Sequence, residues 1–123
     1  MKVTITVTDL RNSKGVVRAC MTTDAERFPR CQGSENAHRA VVDAAETVRF
    51  TFEGVQPGHY AIALLHDENG NGKSDRFLGM MPKEGYGFSR DAPVKMAPPK
   101  FEQAAFDVGS EALSQTIKMR YWL

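Results

Sequence analysis

Residues 47–66, which read TVRFTFEGVQPGHYAIALLH, decide the fold class of this chain. Polar and apolar side chains alternate over 47–53, as they do in a strand with one buried face. The run 59–66 is apolar on both faces, which is typical of a central strand. Two glycines and a proline within 54–58 provide a turn between them. The stretch therefore predicts two consecutive strands of a β-sheet protein.

The same alternation recurs along the rest of the chain. Further strands are predicted at residues 2–8, 15–22, 104–108 and 115–122. The helical signal is limited to one short turn at 34–40, because no other segment shows a sustained helical period. The sequence thus predicts an all-β fold: a single antiparallel β-sandwich of the immunoglobulin-like or transthyretin-like kind over residues 1–123, with about seven strands and little helix.

Two segments between the predicted strands have compositions that indicate their structure. Asn12-Ser13-Lys14-Gly15 has the turn chemistry of a hairpin, so we expect the first two strands to pair directly. Residues 82–100 hold four of the six prolines and are predicted to form one long irregular segment. Long ordered loops are often functional, which draws attention to this segment.

Composition excludes several classes of function. The chain is 41% hydrophobic and 25% charged, with a formal net charge of +1. Because its charges of both signs are interspersed, it lacks the basic footprint of a nucleic-acid-binding protein. The longest apolar run, Tyr60 to Leu65, is far too short to cross a bilayer. Nothing in the sequence predicts an oligomeric state.

The two cysteines help to predict the cellular compartment of the protein. An even count in a small, loop-rich domain favours a disulfide between Cys20 and Cys31, although two unpaired thiols are the alternative. A disulfide indicates an oxidising compartment, so the protein is predicted to be periplasmic or secreted. A signal peptide would then have been removed and Met1 added. Two free thiols would instead agree with a cytoplasmic protein that begins at Met1.

Residues 66–75, HDENGNGKSD, have the spacing of a calcium loop. Calcium takes six to eight oxygen ligands, and side chains at alternate positions of a tight loop can converge on it. The predicted ligands are the side chains of Asp67, Asn69, Asn71 and Asp75, the backbone carbonyl of Lys73, and Glu84 as an additional acid. Leu78 stands where an EF-hand needs its closing glutamate, so an EF-hand is excluded. Glu68 is expected to point outward.

The alternative for this loop is a plain turn. Asn69-Gly70 and Asn71-Gly72 are both strong turn signals, and asparagine stabilises turns without any metal. If calcium binds, only Asp67 and Asp75 contribute charge from within the loop. We therefore expect a dissociation constant at the weak end, about 10⁻⁴ to 10⁻³ M.

Tyr86 and Phe88, which lie between glycines in PKEGYGFS (82–89), are candidate ligand-binding residues. Two exposed rings would offer a platform for a glycan or a peptide. The alternative is that both rings cover one end of the sandwich. No nucleophile elbow, zinc-protease motif or phosphate loop is present, so the protein is not predicted to be an enzyme. An enzyme that uses His66 and Asp67 is the least favoured hypothesis.

Several motifs follow one another in an order that resembles a known family. They are GHYAI (58–62), HDENGNGK (66–73), PKEGYGFS (82–89) and IKMRY (117–121). Together they resemble a bacterial domain-of-unknown-function family of small exported proteins. The resemblance implies export and a β-sandwich fold, and it supplies no activity. The Gly54-x-x-Pro57-Gly58-x-Tyr60 segment also resembles transthyretin-like and carboxypeptidase-regulatory-like domains, which are generally non-catalytic.

Taken together, the sequence predicts a non-enzymatic exported β-sandwich in which a calcium loop orders an adjacent recognition loop. The alternative is a carbohydrate- or peptide-binding module that uses Tyr86 and Phe88 without metal.

Overall fold

The computed structural model describes residues 1–29, 37–68, 85–93 and 99–121. Its elements, in chain order, are β1 (Val3–Thr8), β2 (Val16–Thr22), β3 (His38–Asp43), β4 (Val48–Phe52), β5 (Gly58–Asp67), β6 (Gly85–Phe88), a 3₁₀ turn (Ser89–Asp91), α1 (Phe101–Ala104), β7 (Phe106–Val108) and β8 (Leu113–Lys118). The prediction of an all-β fold with little helix is confirmed.

The strands form two sheets that pack face to face. In the first sheet the order is β4-β1-β8, with β1 antiparallel to β4 and parallel to β8. In the second sheet the order is β3-β2-β5-β6, and β7 pairs with the beginning of β5. The pairs within this second sheet are antiparallel. This arrangement is the predicted β-sandwich, except that the β1–β8 pair is parallel whereas the sequence predicts an antiparallel sandwich.

The main core lies between the sheets and follows the period-two pattern of the sequence. In β1, Val3, Ile5 and Val7 are fully buried, and each intervening threonine is half-exposed. Side chains of β2 and β5 pack against them from the opposite sheet, including Val17, Met21, Ile62 and Leu64. Burying a side chain of this size stabilises the fold by about 1.5–3 kcal/mol, so this alternation accounts for the pairing of the sheets.

A second apolar cluster covers the outer face of the β3-β2-β5-β6 sheet. Phe28 makes edge-to-face contacts with Phe88 and Phe101, at ring-centroid distances of 5.9 and 5.8 Å. Ser89 is fully buried beneath this layer, where its hydroxyl accepts a hydrogen bond from the Ile62 amide and donates one to the Ala104 carbonyl. Strand β5 is thus buried on both faces, as its continuous apolar run predicts.

The connection between β1 and β2 is not the predicted hairpin. The two strands lie in different sheets, so residues 12–15 carry the chain from one sheet to the other. These residues do favour a turn, but β1 pairs antiparallel with β4 and buries its apolar face against the opposite sheet. Tertiary packing therefore overrides the local turn signal.

Three predicted segments also change in type or extent. Within the predicted helical turn, residues 38–40 begin β3, and the expected irregular segment contains β6 at Gly85–Phe88. The strand predicted at 104–108 starts only at Phe106, after α1. The last strand ends at Lys118. The described residues thus hold eight strands, one more than predicted.

Two glycines let the end of the chain pack against β6. A Cβ atom at Gly85 would lie 2.5 Å from Cε2 of Tyr121, and one at Gly87 would lie 2.8 Å from Cγ2 of Ile117. Between them, Tyr86 and Arg120 exchange two backbone hydrogen bonds of 2.9 Å. No helix in the described ranges is long and apolar enough to cross a membrane.

We expect Gly87→Ala to destabilise the fold. The added methyl group meets the buried Ile117 side chain, and overpacking of this kind costs about 1–3 kcal/mol. Urea unfolding at neutral pH measures the change. Gly109→Ala is the matched control, because a Cβ atom there meets nothing within 4 Å. Equal unfolding midpoints for the two variants would contradict the proposed close packing.

Candidate metal loop and its buried base

The first residue of the predicted calcium loop lies at the end of strand β5. Asp67 is the last residue of β5, and Glu68 follows it. The other predicted ligands lie outside the described residues; they are Asn69, Asn71, Lys73, Asp75 and Glu84. The structure therefore defines the point from which the loop begins.

The Asp67 side chain is fully buried and paired with a cation. Its Oδ2 accepts a hydrogen bond of 2.8 Å from Nε of Arg18, which lies on the neighbouring strand β2. A buried carboxylate is costly unless a positive charge and hydrogen bonds compensate for the lost water. The Arg18 guanidinium provides this compensation and fixes the direction of the carboxylate.

Gly15 brings the β1–β2 connection against the backbone of residues 67 and 68. Its φ of +69° is a conformation that glycine adopts readily, and any Cβ atom there would overlap the Asp67 carbonyl oxygen. A Cβ atom would also come within 2.7 Å of the Glu68 carbonyl. A residue other than glycine would force these two segments apart.

Glu68 does not point outward as predicted. Its carboxylate accepts hydrogen bonds from Nε of Arg11 at 2.9 Å, Nη2 of Arg11 at 2.7 Å and Nδ2 of Asn12 at 2.6 Å. The side chain is 19% exposed. The Arg11 hydrogen bonds, assisted by Asn12, lower the pKa of Glu68 to about 2. The correction arises because Arg11, far away in sequence, supplies a two-pronged donor that matches a carboxylate.

His66 is fully buried, and both of its ring nitrogens are engaged. Nε2 lies 2.8 Å from the Lys14 carbonyl oxygen, and Nδ1 lies 2.6 Å from the Tyr121 hydroxyl. A carbonyl oxygen can only accept, so Nε2 donates; in the neutral ring, Nδ1 then accepts from Tyr121. The Tyr121 hydroxyl also accepts the Arg11 amide at 3.2 Å, and burial raises the pKa of Tyr121.

We call this network the loop base. It consists of Arg11, Asn12, Arg18, His66, Asp67, Glu68 and Tyr121. The Arg11 guanidinium stacks 4.5 Å from the Tyr121 ring centroid, which ties the β1–β2 connection to the end of the chain. Within the described parts of the chain, no group of three or more His, Cys, Asp or Glu side chains could hold a metal ion. A metal site would therefore need the loop residues themselves.

Tyr86 and Phe88 do not form an exposed aromatic platform. They are 2% and 1% exposed, and both belong to the cluster that covers the outer face of the second sheet. The reason is their place in β6, where Tyr86 pairs with Leu65 and Phe88 with Ala63 of the central strand. The alternative expectation, that the rings cover apolar structure, agrees with this packing.

The two cysteines are only partly described. Cys20 is half-buried on β2, between Arg39 of β3 and Ala63 of β5 in the sheet register. Cys31 lies outside the described residues. The disulfide between them stays a prediction.

Four members of the loop base are not predicted from the sequence: Arg11, Asn12, Arg18 and Tyr121. They lie between 49 and 57 residues from their partners His66, Asp67 and Glu68. No local motif marks such pairs. The nearest signal is the polar turn at residues 12–15, whose composition predicts a hairpin.

A second polar cluster surrounds His59 at the opposite end of β5. Its Nδ1 lies 2.6 Å from Oδ1 of Asp107, and its Nε2 lies 3.1 Å from Oε1 of Glu102. The hydrogen bonds to these two carboxylates raise the pKa of His59, and the one to Asp107 has the larger effect. The side chain is 47% exposed, so this cluster lies at the surface.

Comparison with known proteins places the chain in a family. The family model described as "Uncharacterized protein conserved in bacteria (DUF2141)" matches residues 5–116, and the chain belongs to this family. No curated protein matches the chain significantly. No solved structure does so either. The resemblance to an uncharacterised bacterial family is thereby confirmed, while the kinship with transthyretin-like domains stays a prediction.

Glu68→Gln should destabilise the fold in a pH-dependent way. Because folding lowers the pKa of Glu68 from 4.5 to about 2, its ionised form stabilises the native state above pH 4.5. We expect a loss of about 2–3 kcal/mol at pH 7. The difference from wild type should shrink as pH falls from 4.5 towards 2.

Urea unfolding across this pH range measures the effect. Glu53→Gln is the control, since Glu53 is 72% exposed and its nitrogen–oxygen distance to Lys2 is 3.9 Å. An exposed pair of this kind contributes about 0–1 kcal/mol. A Glu68→Gln effect that stays constant between pH 7 and pH 2 would show that the Arg11 interaction does not stabilise the fold through the charge of Glu68.

Proposed function

We propose that this member of an uncharacterised bacterial family is a non-enzymatic, exported β-sandwich module whose 67–75 loop binds Ca²⁺. The bound metal would order the connection between β5 and β6. The observation that carries the proposal is the buried Asp67 carboxylate, held in a fixed direction at the first position of the loop. A preoriented first ligand lowers the entropy cost of assembling the others.

The contact with Arg18 is compatible with metal binding by Asp67. A carboxylate has two oxygens and about four lone-pair sites, so it can accept a hydrogen bond and bind a cation together. Carboxylates that bind metals are themselves usually hydrogen-bonded by neighbouring groups, which orient them. The positive charge of Arg18 weakens the attraction for calcium, and this agrees with an affinity at the weak end.

The sheet register favours Glu84 as the additional ligand. His66 of β5 pairs with Gly85 of β6. The residue after His66 is Asp67, and the residue before Gly85 is Glu84. The two acids thus flank the connection at its two ends, next to a paired position. A calcium ion bound by both would link the two strands.

The state of the two histidines on β5 supports a non-enzymatic role. A general base needs a ring nitrogen that can reach a substrate proton. His66 is buried with both nitrogens bonded to Tyr121 and Lys14. His59 has both nitrogens facing the carboxylates of Asp107 and Glu102.

Export is supported by the expected calcium affinity and by the cysteines. Weak calcium sites suit compartments outside the cytoplasm, where calcium is abundant. Phe28 packs on the same outer face of the sheet on which Cys20 lies, and Cys31 follows Phe28 by three residues. Three residues span at most about 10 Å, which limits how far the chain can run between Phe28 and Cys31.

Calcium should stabilise the protein measurably. If the dissociation constant is about 10⁻⁴ M, then calcium at about 10 mM adds roughly 2.7 kcal/mol to the free energy of unfolding. Asp75→Asn should remove most of this increment, because it deletes one of the two loop carboxylates. Thermal and urea unfolding after chelator treatment, with calcium added back, measures it.

Glu53→Gln is the matched control for this titration. It removes an exposed carboxylate that is neither a proposed ligand nor a member of the loop base, so the variant should keep the calcium increment. Glu84→Gln tests the additional ligand and should weaken binding. Absence of any calcium increment in the wild-type protein, or an equal increment in Asp75→Asn, would refute the calcium site.

The Cys20–Cys31 bond should be present in protein secreted to an oxidising compartment. Intact mass after alkylation without reductant should show no modified cysteine, and reduction should open two sites. A Cys20→Ser variant should lose about 2–4 kcal/mol of stability, the usual contribution of a disulfide that closes a short loop. Two thiols that alkylate without reductant would contradict the bond and remove this support for export.

A further inference from the structure

Strand β3 is an exposed end strand of the second sheet. It pairs with β2 on one side, and no ladder to its other side occurs among the described residues. It is also the only named strand without a buried residue. On its outer face Val41 is 56% exposed, and Met1 is the only other large hydrophobic residue exposed in the described ranges.

The direction of the backbone groups of β3 follows from one hydrogen bond. The Ala44 amide donates to the Gly15 carbonyl at 3.1 Å, continuing the pairing of β3 with β2. Along a strand, successive residues direct their N–H and C=O groups to opposite sides. The backbone groups of Arg39, Val41 and Asp43 therefore face the outer edge of the sheet, the side on which a further strand would pair.

The side chains of these three residues make the edge complementary to itself. We propose that two copies of the chain pair antiparallel through β3, with Val41 on the two-fold axis. Val41 then lies opposite Val41 of the second copy, and Arg39 lies opposite Asp43 of the second copy. The axis generates the same charge pair twice, and each of these positions exchanges two backbone hydrogen bonds.

The inner face of β3 fits the same register. Ala40 and Val42 are half-buried and pack against the main core. In a pair centred on Val41, Ala40 lies opposite Val42 of the second copy. Both apolar residues would lose their remaining exposure, and the core would continue from one copy into the other. Backbone, charge and apolar contacts thus agree on a single register.

A parallel partner does not fit this edge. It would place Arg39 against Arg39 and Asp43 against Asp43, and like charges directly opposite one another destabilise a strand pair.

Strand β4, at the end of the other sheet, lacks this complementary charge pattern. In β4 the exposed positions are Arg49 and Thr51, and an isolated charge on an edge strand opposes self-pairing.

Sedimentation velocity of the full chain over a concentration series tests the proposal. We expect a monomer–dimer equilibrium in wild type. Val41→Lys should raise the dissociation constant at least about tenfold, since it places two ammonium groups on the axis. Thr116→Lys is the matched control; it adds the same charge at an exposed position of β8, in the other sheet, and should leave the dimer unchanged.

A charge exchange identifies the register. Arg39→Glu and Asp43→Arg should each weaken the dimer, because each places like charges opposite one another in both symmetry-related pairs. The double variant restores the complementarity and should recover most of the affinity. Circular dichroism confirms that each variant is folded.

Three results would overturn the proposal. The first is a wild-type protein that remains monomeric up to about 1 mM, the range of very weak association. The second is a dimer that Val41→Lys does not weaken. The third is a double charge variant that stays as weak as the single variants.

Discussion

The burial of β5 on both of its faces is the constraint on which the rest of this structure depends. One face supplies Ile62 and Leu64 to the core between the sheets. The other supplies Ala61 and Leu65, which need a second cover. The 3₁₀ turn, α1 and Phe28 provide that cover, and the buried Ser89 hydroxyl satisfies the backbone between the layers. Because the central strand is enclosed in this way, its last two residues, His66 and Asp67, are also fully buried.

The loop base is the consequence of that burial. Two polar residues that end a buried strand need partners, because an unsatisfied buried polar group costs several kcal/mol. Arg18 compensates Asp67, and Tyr121 with the Lys14 carbonyl satisfies His66. These partners come from β2, from the β1–β2 connection and from the end of the chain. The same contacts that make burial tolerable thereby lock the start of the 67–75 loop against three separate segments.

The sequence predicts those parts of the fold in which local pattern and packing agree. Strands β1, β2, β4 and β5 show clear alternation or a continuous apolar run, and each is where the pattern places it. Strand β6 does not stand out in the sequence because it has only four residues, two of them glycines, which are poor strand formers. Its conformation comes from pairing with β5 and from the close approach of Ile117 and Tyr121. The residues of the candidate site show the same difference between local pattern and tertiary contact. Loop spacing predicts Asp67, whereas its contact with Arg18 depends on the topology of the sandwich. The same holds for the contacts of Arg11 with Glu68 and of Tyr121 with His66.

The sheet register aligns Asp67, the first residue of the proposed metal loop, with Asp43 on the proposed dimer edge. Val16 of β2 pairs with Asp43 on one side and with Asp67 on the other, so the two acids are two strand spacings apart. That separation is about 10 Å, close to one Debye length at moderate salt. In the dimer, Arg39 of the second copy lies beside Asp43 and therefore beyond this distance from Asp67. Asp67 already has the nearer Arg18 guanidinium at 2.8 Å. The positive charge nearest to Asp67 is thus Arg18 of the same copy and not Arg39 of the second copy. We therefore expect calcium binding and dimer formation to be nearly independent.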